Sequence, residues 1–239
     1  MYNQGRSMTK PVAFIGTRYG YDGIVQAAVD SGIPIAGWFD KYFYGNKESY
    51  GGYPILGSED DITEEDKEKY DFFMASAYSG HTVLDNFDHN GMVLRKRRIE
   101  LIKEKNLPLI NLITPTAFVH ETVELGKNIF IGHNVSIRAH VKIGDFCYFD
   151  QQAGIGEHSV FGENVIIMSQ AVLSGDLILE PNSFVGLNAT VANGYYGKKL
   201  VIGTGAKIAA GAVVYRDVEP DKFVSVEGRR MRKLDASAE

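Results

Sequence analysis

A period of six apolar residues dominates the second half of this chain. From residue 125 to residue 191 every sixth position is bulky and apolar, without a gap. An α-helix repeats about every 3.6 residues and a β-strand about every two, so neither produces a sustained period of six. Three short extended segments per turn of a parallel β-helix do produce it. The positions are Leu125, Ile131, Ile137, Ile143, Phe149, Ile155, Phe161, Ile167, Leu173, Leu179, Val185 and Val191.

A second inward position follows four residues after each of these. It holds mostly small or aliphatic side chains, at Ile129, Val135, Val141, Cys147, Ala153, Ser159, Val165, Ala171, Leu177, Ser183 and Ala189. Two inward positions per hexapeptide fill a narrow triangular core, so Cys147 is expected to be a buried thiol rather than a nucleophile. Glycine often follows the bulky residue, and we expect tight corners with unusual φ and ψ there. These glycines are Gly126, Gly132, Gly144, Gly156, Gly162, Gly186 and Gly203.

The period is interrupted after Val191. Residues 192–199 cannot continue the coil, and Ile202 resumes it eleven residues on rather than twelve. We therefore expect a loop, in which Tyr195 and Tyr196 would shape an acceptor pocket. Loops on rigid scaffolds commonly bind ligands, although an insertion without a role is an equally simple explanation.

The first part of the chain has a different pattern. Residues 12–15 form an apolar run, residues 16–23 contain several glycines, and an amphipathic segment leads to a second apolar run that ends at Asp40. This order predicts a βαβ unit. Because the turn does not match G-x-G-x-x-G, two explanations stay open. The glycines only permit a tight turn, or backbone N–H groups there hold a phosphate while Asp40 binds a nucleotide.

Two further apolar runs, residues 70–75 and 107–113, are predicted strands, and residues 92–105 are a predicted helix whose basic run 95–98 would be solvated. We expect an α/β, Rossmann-like domain over residues 10–113 and the β-helix domain over residues 114–234. Residues 1–9 are expected to lie outside the fold.

Composition narrows the class of protein. The 239 residues carry a net charge of −5, which argues against a nucleic-acid partner. No apolar run reaches transmembrane length and no secretory leader is evident, so we expect a cytoplasmic protein without membrane insertion. A single cysteine excludes a disulfide framework.

The chain resembles the two-domain sugar acyltransferases related to sialic acid O-acetyltransferase and the bacillosamine-pathway N-acetyltransferases. The resemblance runs from Phe14-Ile15-Gly16 through Trp38-Phe39-Asp40, Pro54-Ile55-Leu56-Gly57, Pro115-Thr116-Ala117 and the hexapeptides to residues 211–218. It implies a left-handed helix, an exception to the usual right-handed crossover. It also implies a homotrimer with active sites between neighbouring helices, acetyl-CoA as acyl donor and a nucleotide-linked amino sugar as acceptor.

Acyl transfer needs a base for the acceptor proton and a donor for the oxyanion. Members of the resembled family carry a His followed by an acid before the segment matched by residues 159–162, whereas this chain has the reversed order Glu157-His158. Residues eighteen apart lie one coil apart, about 4.8 Å, so His140, His158 and Asp176 form a column. We predict His158 as the general base, with Glu157 or Asp176 as its partner.

Other interpretations of this column stay open. His158 could be a surface residue without a role, or His140, His158 and Asp176 could bind zinc, although we expect no metal. The acceptor amine could also be already deprotonated, with the protein supplying mainly proximity.

The resemblance also places binding residues. It implies CoA contacts at Ile166, Gly186, Leu187, Thr204 and Gly205. It implies nucleotide-sugar contacts at Gly16, Thr17, Asp40 and Lys41, where Lys41 replaces a common second Asp. A further series with a spacing of eighteen, Asn134, Gln152, Gln170 and Asn188, suits stacked side-chain amides.

The sequence thus favours an acyl-CoA-dependent N-acetyltransferase that modifies a nucleotide-linked amino sugar for bacterial surface glycan. One alternative is a sugar O-acetyltransferase, which needs a stronger base because hydroxyls are poorer nucleophiles. The other is a non-catalytic trimeric protein that binds sugar nucleotides.

Overall fold

The computed structural model describes residues 10–16, 21–75, 89–195, 197–225 and 231–233. Two compact units divide the chain, residues 1–115 and 116–239. Thr17 and Tyr196, which the sequence marks as candidate contacts, lie outside the described residues, as do residues 1–9. In the described ranges no helix has the length and apolar character needed to cross a membrane.

The first unit is built on a five-stranded mixed sheet. Its elements are β1 (Val12–Ile15), α1 (Tyr21–Asp30), β2 (Ile35–Phe39), β3 (Ser49–Tyr50), β4 (Tyr53–Gly57), a 3-10 turn (Glu59–Asp61), α2 (Glu64–Lys69), β5 (Asp71–Met74), α3 (His89–Glu104) and β6 (Leu112–Ile113). The strand order is β3-β4-β2-β1-β5, and only β3 runs antiparallel to its neighbour. The predicted βαβ unit is present as β1, α1 and β2.

The prediction that residues 107–113 form one strand is wrong in its extent. Leu109 makes only an isolated parallel bridge to Phe72, and a regular strand is confined to Leu112–Ile113. Pro108 supplies a physical reason, because proline has no N–H with which to continue a ladder. Its carbonyl nevertheless accepts a hydrogen bond of 2.8 Å from the Phe72 N–H.

The basic run of α3 is only half solvated. Arg95 and Arg98 are buried, whereas Lys96 and Arg97 are exposed. Residues three apart share one face of a helix, so the two buried arginines lie on the same side. The expectation of a solvated basic face is therefore wrong for Arg95 and Arg98.

The second unit is a parallel β-helix of three sheets. Its strands are β7 (Phe118–Val119), β8 (Glu124–Leu125), β9 (Phe130–Ile131), β10 (Ser136–Ile137), β11 (Lys142–Ile143), β12 (Tyr148–Phe149), β13 (Gly154–Ile155), β14 (Val160–Phe161), β15 (Ile166–Ile167), β16 (Val172–Leu173), β17 (Leu177–Leu179), β18 (Phe184–Val185), β19 (Thr190–Val191), β20 (Leu200–Ile202), β21 (Lys207–Ile208), β22 (Val213–Val214), β23 (Lys222–Val224) and β24 (Met231–Lys233). Face 1 has the order β7-β10-β13-β16-β19-β22, and face 2 has β8-β11-β14-β17-β20. Face 3 contains β9-β12-β15-β18-β21-β23, followed by the antiparallel β24.

The predicted hexapeptide repeat is confirmed. Each strand from β8 to β19 ends on the predicted bulky residue, and paired residues such as Ile137 and Ile155 lie one coil of eighteen apart. All the residues of the second inward position are buried. Cys147 lies in this core with its thiol 3.1 Å from the Gly162 carbonyl oxygen, as expected for a structural cysteine.

The glycines after the bulky residues serve a different purpose from the one expected. A left-handed φ occurs three residues after each bulky position from Leu125 to Val185, at Asn128, Asn134, His140, Phe146, Gln152, His158, Asn164, Gln170, Asp176, Asn182 and Asn188. The glycines instead allow adjacent coils to approach. A Cβ at Gly156 would lie 2.3 Å from the Gly175 nitrogen, and one at Gly186 would lie 2.5 Å from the Ala210 nitrogen. The expectation of unusual φ and ψ at these glycines is therefore wrong.

Residues 192–199 leave the coil as the sequence predicts. Regular coils pair residues eighteen apart, whereas Leu179 pairs with Ile202, which is five residues more. An antiparallel bridge between Tyr195 and Lys198 closes a small hairpin inside this insertion. The inward period then resumes at Ile202, Ile208 and Val214, all of which are buried.

Candidate functional site

The predicted column of His140, His158 and Asp176 lies along the edge between face 1 and face 2. All three residues are exposed and have left-handed φ. The His158 N–H donates to the Ala139 carbonyl at 3.0 Å, and the Asp176 N–H donates to the Glu157 carbonyl at 2.9 Å. These hydrogen bonds hold successive corners in register, so the three residues share one edge of the β-helix.

The two histidine rings of the column stack on each other. Their centroids are 5.0 Å apart and their planes differ by 17°. On the far side of His140, the Thr122 hydroxyl accepts the His140 N–H at 2.8 Å and also contacts His120 Nδ1 at 2.9 Å. Within the described chain, neither ring nitrogen of His158 makes a hydrogen bond. The His158 imidazole is thus held by stacking and presents its nitrogens to solvent.

The predicted acidic partners do not contact this imidazole. Glu157 forms an ion pair of 3.3 Å with Arg138, and both side chains are largely exposed. An exposed pair of this kind contributes little to stability. Asp176, one coil further along, also makes no hydrogen bond to the His158 ring among the described contacts. The structure therefore brings His158, Glu157 and Asp176 into one neighbourhood without pairing them.

Lys199 belongs to the same column, and spacing arguments from the sequence miss it. Leu177 pairs with Leu200, so the preceding residues, Asp176 and Lys199, occupy equivalent corner positions. A count of eighteen from Asp176 ends at Gly194 instead, because the insertion shifts the register. Counting backwards from Ile202, where the hexapeptides resume, would have found Lys199. Its ammonium donates a hydrogen bond to the His158 carbonyl oxygen.

The geometry gives no support to a zinc site in the column. Parallel stacking of His140 and His158 directs their ring planes past each other rather than toward one point. Across the residues that the structure describes, no group of three or more His, Cys, Asp or Glu side chains could hold a metal ion.

The residues implied to contact CoA lie on the other two edges of the β-helix. Gly186 and Leu187 follow β18, at the edge between faces 3 and 1, where Leu187 is exposed. Thr204 and Gly205 follow β20, at the edge between faces 2 and 3. The Thr204 N–H and hydroxyl both donate to Glu180 Oε2, at 2.8 and 2.9 Å. One chain alone therefore does not bring these residues next to His158.

Ile166 does not suit the cofactor contact that the resemblance implies. It points outward from face 3, yet its relative exposure is 0%. A ligand could touch this side chain only by displacing the residues that cover it. We therefore interpret Ile166 as a packing residue, and its contact with the cofactor stays a prediction.

Asp40 is engaged by the fold of the first unit. The residue is fully buried, and its Oδ1 accepts the N–H groups of Tyr42 and Phe43 at 2.9 and 3.3 Å. Its Oδ2 lies 3.4 Å from the guanidinium of Arg98, which also reaches Glu59 at 3.2 Å. With both oxygens occupied, Asp40 holds a turn and a helix in place. These contacts favour a structural role, and the binding of a nucleotide by Asp40 stays a prediction.

The other implied nucleotide-sugar residues differ in their accessibility. Gly16 is buried after β1 with a φ of 79°, and its N–H donates to the Phe39 carbonyl at 3.0 Å. Lys41 is half-buried, with its ammonium 3.5 Å from Asp60. Of the two, Lys41 retains a partly accessible charge at the end of β2.

The loop of residues 192–199 is also tied to the coil that follows it. Asp217 accepts the Val201 N–H at 3.0 Å and the Lys198 ammonium at 3.0 Å. The backbone hydrogen bond first, and the lysine second, lower the pKa of the Asp217 carboxyl below its ordinary value.

Side-chain amide pairs join successive coils at other edges, and of the predicted series Asn134, Gln152, Gln170 and Asn188 only the central pair is bonded among the described contacts. Gln170 Nε2 donates to Gln152 Oε1 at 2.9 Å, as the spacing of eighteen predicts. A second pair, which the sequence arguments missed, links Asn164 Nδ2 to Asn182 Oδ1 at 2.9 Å. Their bonds run from coil to coil, so we interpret both pairs as structural.

No protein-family model matches the chain. It is 26% identical over 112 residues to the GDP-perosamine N-acetyltransferase of Escherichia coli O157:H7, covering 47% of this chain and 51% of that protein. It is 27% identical over 150 residues to the serine acetyltransferase of Staphylococcus xylosus, covering 56% of this chain and 62% of that protein. The chain thus spans only about half to three fifths of the length of these relatives.

Solved structures resemble nearly the whole chain at 20% identity. PerB from Caulobacter crescentus, in complex with CoA and GDP-perosamine, has a TM-score of 0.74 and covers 94% of this chain and 98% of its own. The acetyltransferase domain of PglB from Neisseria gonorrhoeae, in complex with acetyl coenzyme A, has a TM-score of 0.76 with 94% and 99% covered. WeeI from Acinetobacter baumannii AYE has a TM-score of 0.62 with 94% and 100% covered.

These likenesses define the class of fold: an α/β unit followed by a parallel β-helix of hexapeptides. The resemblance to sugar acyltransferases that the sequence indicates is confirmed at the level of this fold.

Proposed function

We propose that the protein is an acetyl-CoA-dependent N-acetyltransferase that modifies a nucleotide-linked amino sugar for bacterial surface glycan. The observation that carries this proposal is the exposed His158 imidazole, whose nitrogens are free of hydrogen bonds in the described chain, on a β-helix edge beside Asp176. The shared fold supports it, since PerB binds CoA and GDP-perosamine on the same architecture. Acetyl-CoA and nucleotide sugars are cytoplasmic metabolites, so we place the reaction in the cytoplasm.

The chemistry assigned to His158 is general base catalysis. As the acceptor amine attacks the thioester carbonyl, a C–N bond forms and the His158 imidazole takes the proton from nitrogen. The tetrahedral intermediate then collapses and the C–S bond breaks. The leaving CoA thiolate takes the proton from the imidazolium, which returns His158 to its neutral form. Asp176 or Glu157 would stabilise the imidazolium charge. If the amine binds already neutral, the protein contributes mainly proximity.

We propose that the site is completed in a homotrimer, between the β-helices of neighbouring copies. In one chain, face 1 separates the His158 edge from the edge that holds Gly186 and Leu187. Face 1 also exposes three large apolar side chains, Phe118 at 57%, Val172 at 50% and Val213 at 52%. These side chains lie on β7, β16 and β22, spaced along the face rather than in one patch, and a neighbouring β-helix packed along face 1 would cover all three. A neighbouring copy could therefore supply the CoA-binding edge to His158.

We assign residues 10–113 to nucleotide-sugar binding in a Rossmann-like domain, and residues 114–234 to acyl transfer in a left-handed β-helix. The parallel strands β1, β2, β4 and β5 and the glycine turn after β1 support the first assignment. Gly16, Thr17 and Lys41 remain its candidate contacts, since Asp40 is engaged internally. The likeness to the solved acetyltransferases supports the handedness.

The test is thiol release from acetyl-CoA by the purified protein with UDP-, dTDP- and GDP-linked 3-amino and 4-amino sugars. His158→Ala is compared with the matched control His133→Ala, because His133 lies on another edge and contacts Thr116. We expect turnover with one sugar that falls about 100-fold or more only in His158→Ala. The corresponding nucleotide sugars with hydroxyl groups in place of the amines are added to the panel, and turnover with them alone would establish an O-acetyltransferase. Binding of nucleotide sugar without turnover and without any binding of CoA would support the non-catalytic alternative, whereas silence with CoA bound would indicate a different acyl group or acceptor.

A further inference from the structure

The column of His140, His158 and Asp176 continues into the inserted loop. The register of Leu177 against Leu200 places Lys199 one coil beyond Asp176 and two coils beyond His158. Coils are about 4.8 Å apart, so an extended lysine side chain is long enough to pass the level of Asp176. Its ammonium does so and donates to the His158 carbonyl oxygen.

Within the described chain, Lys199 is the group that donates a hydrogen bond to this exposed carbonyl. His158 has left-handed backbone, with a φ of 57°, which a non-glycine residue adopts at a cost of about 1 kcal/mol or more. In the described chain no backbone N–H donates to the His158 carbonyl. The lysine ammonium thus adds a charged donor at this corner, and a charged donor makes a stronger hydrogen bond than a neutral one.

Backbone contacts fasten the rest of the loop to the same corner. The Gly175 N–H donates to Asn193 Oδ1 at 2.8 Å, and the Leu200 N–H donates to the Asp176 carbonyl at 3.0 Å. Gly194 packs so closely that a Cβ there would lie 2.5 Å from the Asp176 carbonyl oxygen. The loop thus lies over the end of the column, with the adjoining Tyr195 73% exposed.

We propose that Lys199 is a positioning residue for His158, which joins the base to the described part of the loop, residues 192–195 and 197–199, as an acceptor-side wall. This inference rests on the proposed function. Lys199 acts on the reaction through the His158 backbone and need not touch the acceptor. The loop it fixes presents the Tyr195 ring beside the column, where an aromatic face suits the apolar face of a sugar.

The kinetic test uses Lys199→Met, which keeps the chain length but removes the charge, and Lys199→Arg, which restores a donor. Lys142→Met is the matched control, because Lys142 also bonds an adjacent coil, through Glu124 at 2.9 Å, but stands on face 2, two residues after His140, and makes no hydrogen bond to His158 among the described contacts. We expect Lys199→Met to lower kcat about tenfold with the KM for acetyl-CoA within about twofold, and Lys199→Arg to recover most of the loss. Lys142→Met should match the wild type.

A second readout does not depend on turnover. The rate at which diethyl pyrocarbonate modifies His158 is measured by peptide mass spectrometry, with His133 as the internal reference. We expect a several-fold faster modification of His158 in Lys199→Met and an unchanged rate at His133. Unchanged kcat and unchanged His158 reactivity in Lys199→Met would overturn the proposal. If the wild type acetylates no acceptor, the proposed function fails, while the modification rate still decides whether Lys199 positions His158.

Discussion

The imidazole rings of His140 and His158 stack at 5.0 Å, with their planes 17° apart, on successive coils of the β-helix. Because His158 has no hydrogen bond to its ring in the described chain, this contact is what limits the ring's orientation. A flat ring at position 140 should therefore be enough to keep the base in place.

The expected result is that His140→Phe retains kcat within about threefold of the wild type, whereas His140→Ala lowers it about tenfold. Steady-state kinetics at saturating acetyl-CoA measures both. Equal losses in the two variants would instead show that the polar atoms of His140 matter.

Asp40→Asn should destabilise the first unit rather than weaken substrate binding. It removes one of the two charges that pair with buried Arg98, while Glu59 still pairs with the guanidinium, so we expect a loss of about 1–3 kcal/mol. Asp60→Asn is the control, because Asp60 is 42% exposed and should change stability by less than about 1 kcal/mol. Urea unfolding measures the difference. A weaker affinity for the nucleotide sugar with an unchanged free energy of unfolding would instead show that Asp40 binds the nucleotide.

Gly156→Ala should be strongly destabilising, because the new Cβ would lie 2.3 Å from the Gly175 nitrogen. Because the two coils would have to separate, we expect the free energy of unfolding to fall by about 3 kcal/mol. Gly23→Ala in α1 is the contrasting variant: nothing lies within 4 Å of its Cβ position, so it should be neutral or stabilise by up to about 1 kcal/mol. Thermal unfolding distinguishes the two, and similar melting temperatures would contradict the close-approach explanation.

Asp217 should make a pH-dependent contribution to stability. Its folded-state pKa is lowered by the Val201 N–H and then by Lys198, so the ionised form is favoured in the folded protein. The stabilisation is therefore fully present above the ordinary Asp pKa of about 4 and is lost as the pH falls through the lower folded value. Because the pair is largely exposed, we expect less than about 1 kcal/mol. Unfolding of the wild type and Asp217→Asn across the acid range tests this, and a difference that does not shrink with falling pH would refute it.

Val172→Asp should disrupt assembly through face 1. Val172 is 50% exposed at the centre of that face, and a carboxylate there would have to be desolvated on association. Val93→Asp on α3 is the control, since Val93 is 60% exposed in the other unit. Light scattering after size exclusion should show a trimer for the wild type and the control, and a smaller species for Val172→Asp. An unchanged trimer would exclude face 1 as the interface.

Sequence reasoning was most successful where contacts repeat. Ile137, Ile155 and Leu173 occupy equivalent places in successive coils, so one period of six predicts all of them and their burial. The column of His140, His158 and Asp176 follows from the same arithmetic. The sequence assigns Cys147 to the core for the same reason, because it lies at a second inward position.

Sequence reasoning failed where the role of a residue depends on a contact that the hexapeptide period does not predict. Glycines such as Gly156 were assigned to unusual backbone angles, whereas the requirement comes from the neighbouring coil. Arg98 was assigned to a solvated face because the partners that allow its burial, Asp40 and Glu59, are 58 and 39 residues away.

The sequence by itself determined the parallel β-helix, its inward residues and the edge on which His158 lies, because these repeat at a fixed spacing along the chain. Only the tertiary structure decided that Asp40 forms an ion pair with Arg98 and that Lys199 joins the His158 column. Both depend on segments that folding brings together. The ion pair joins distant elements, and the five-residue insertion determines how the strands from β20 onward pair with the preceding coil.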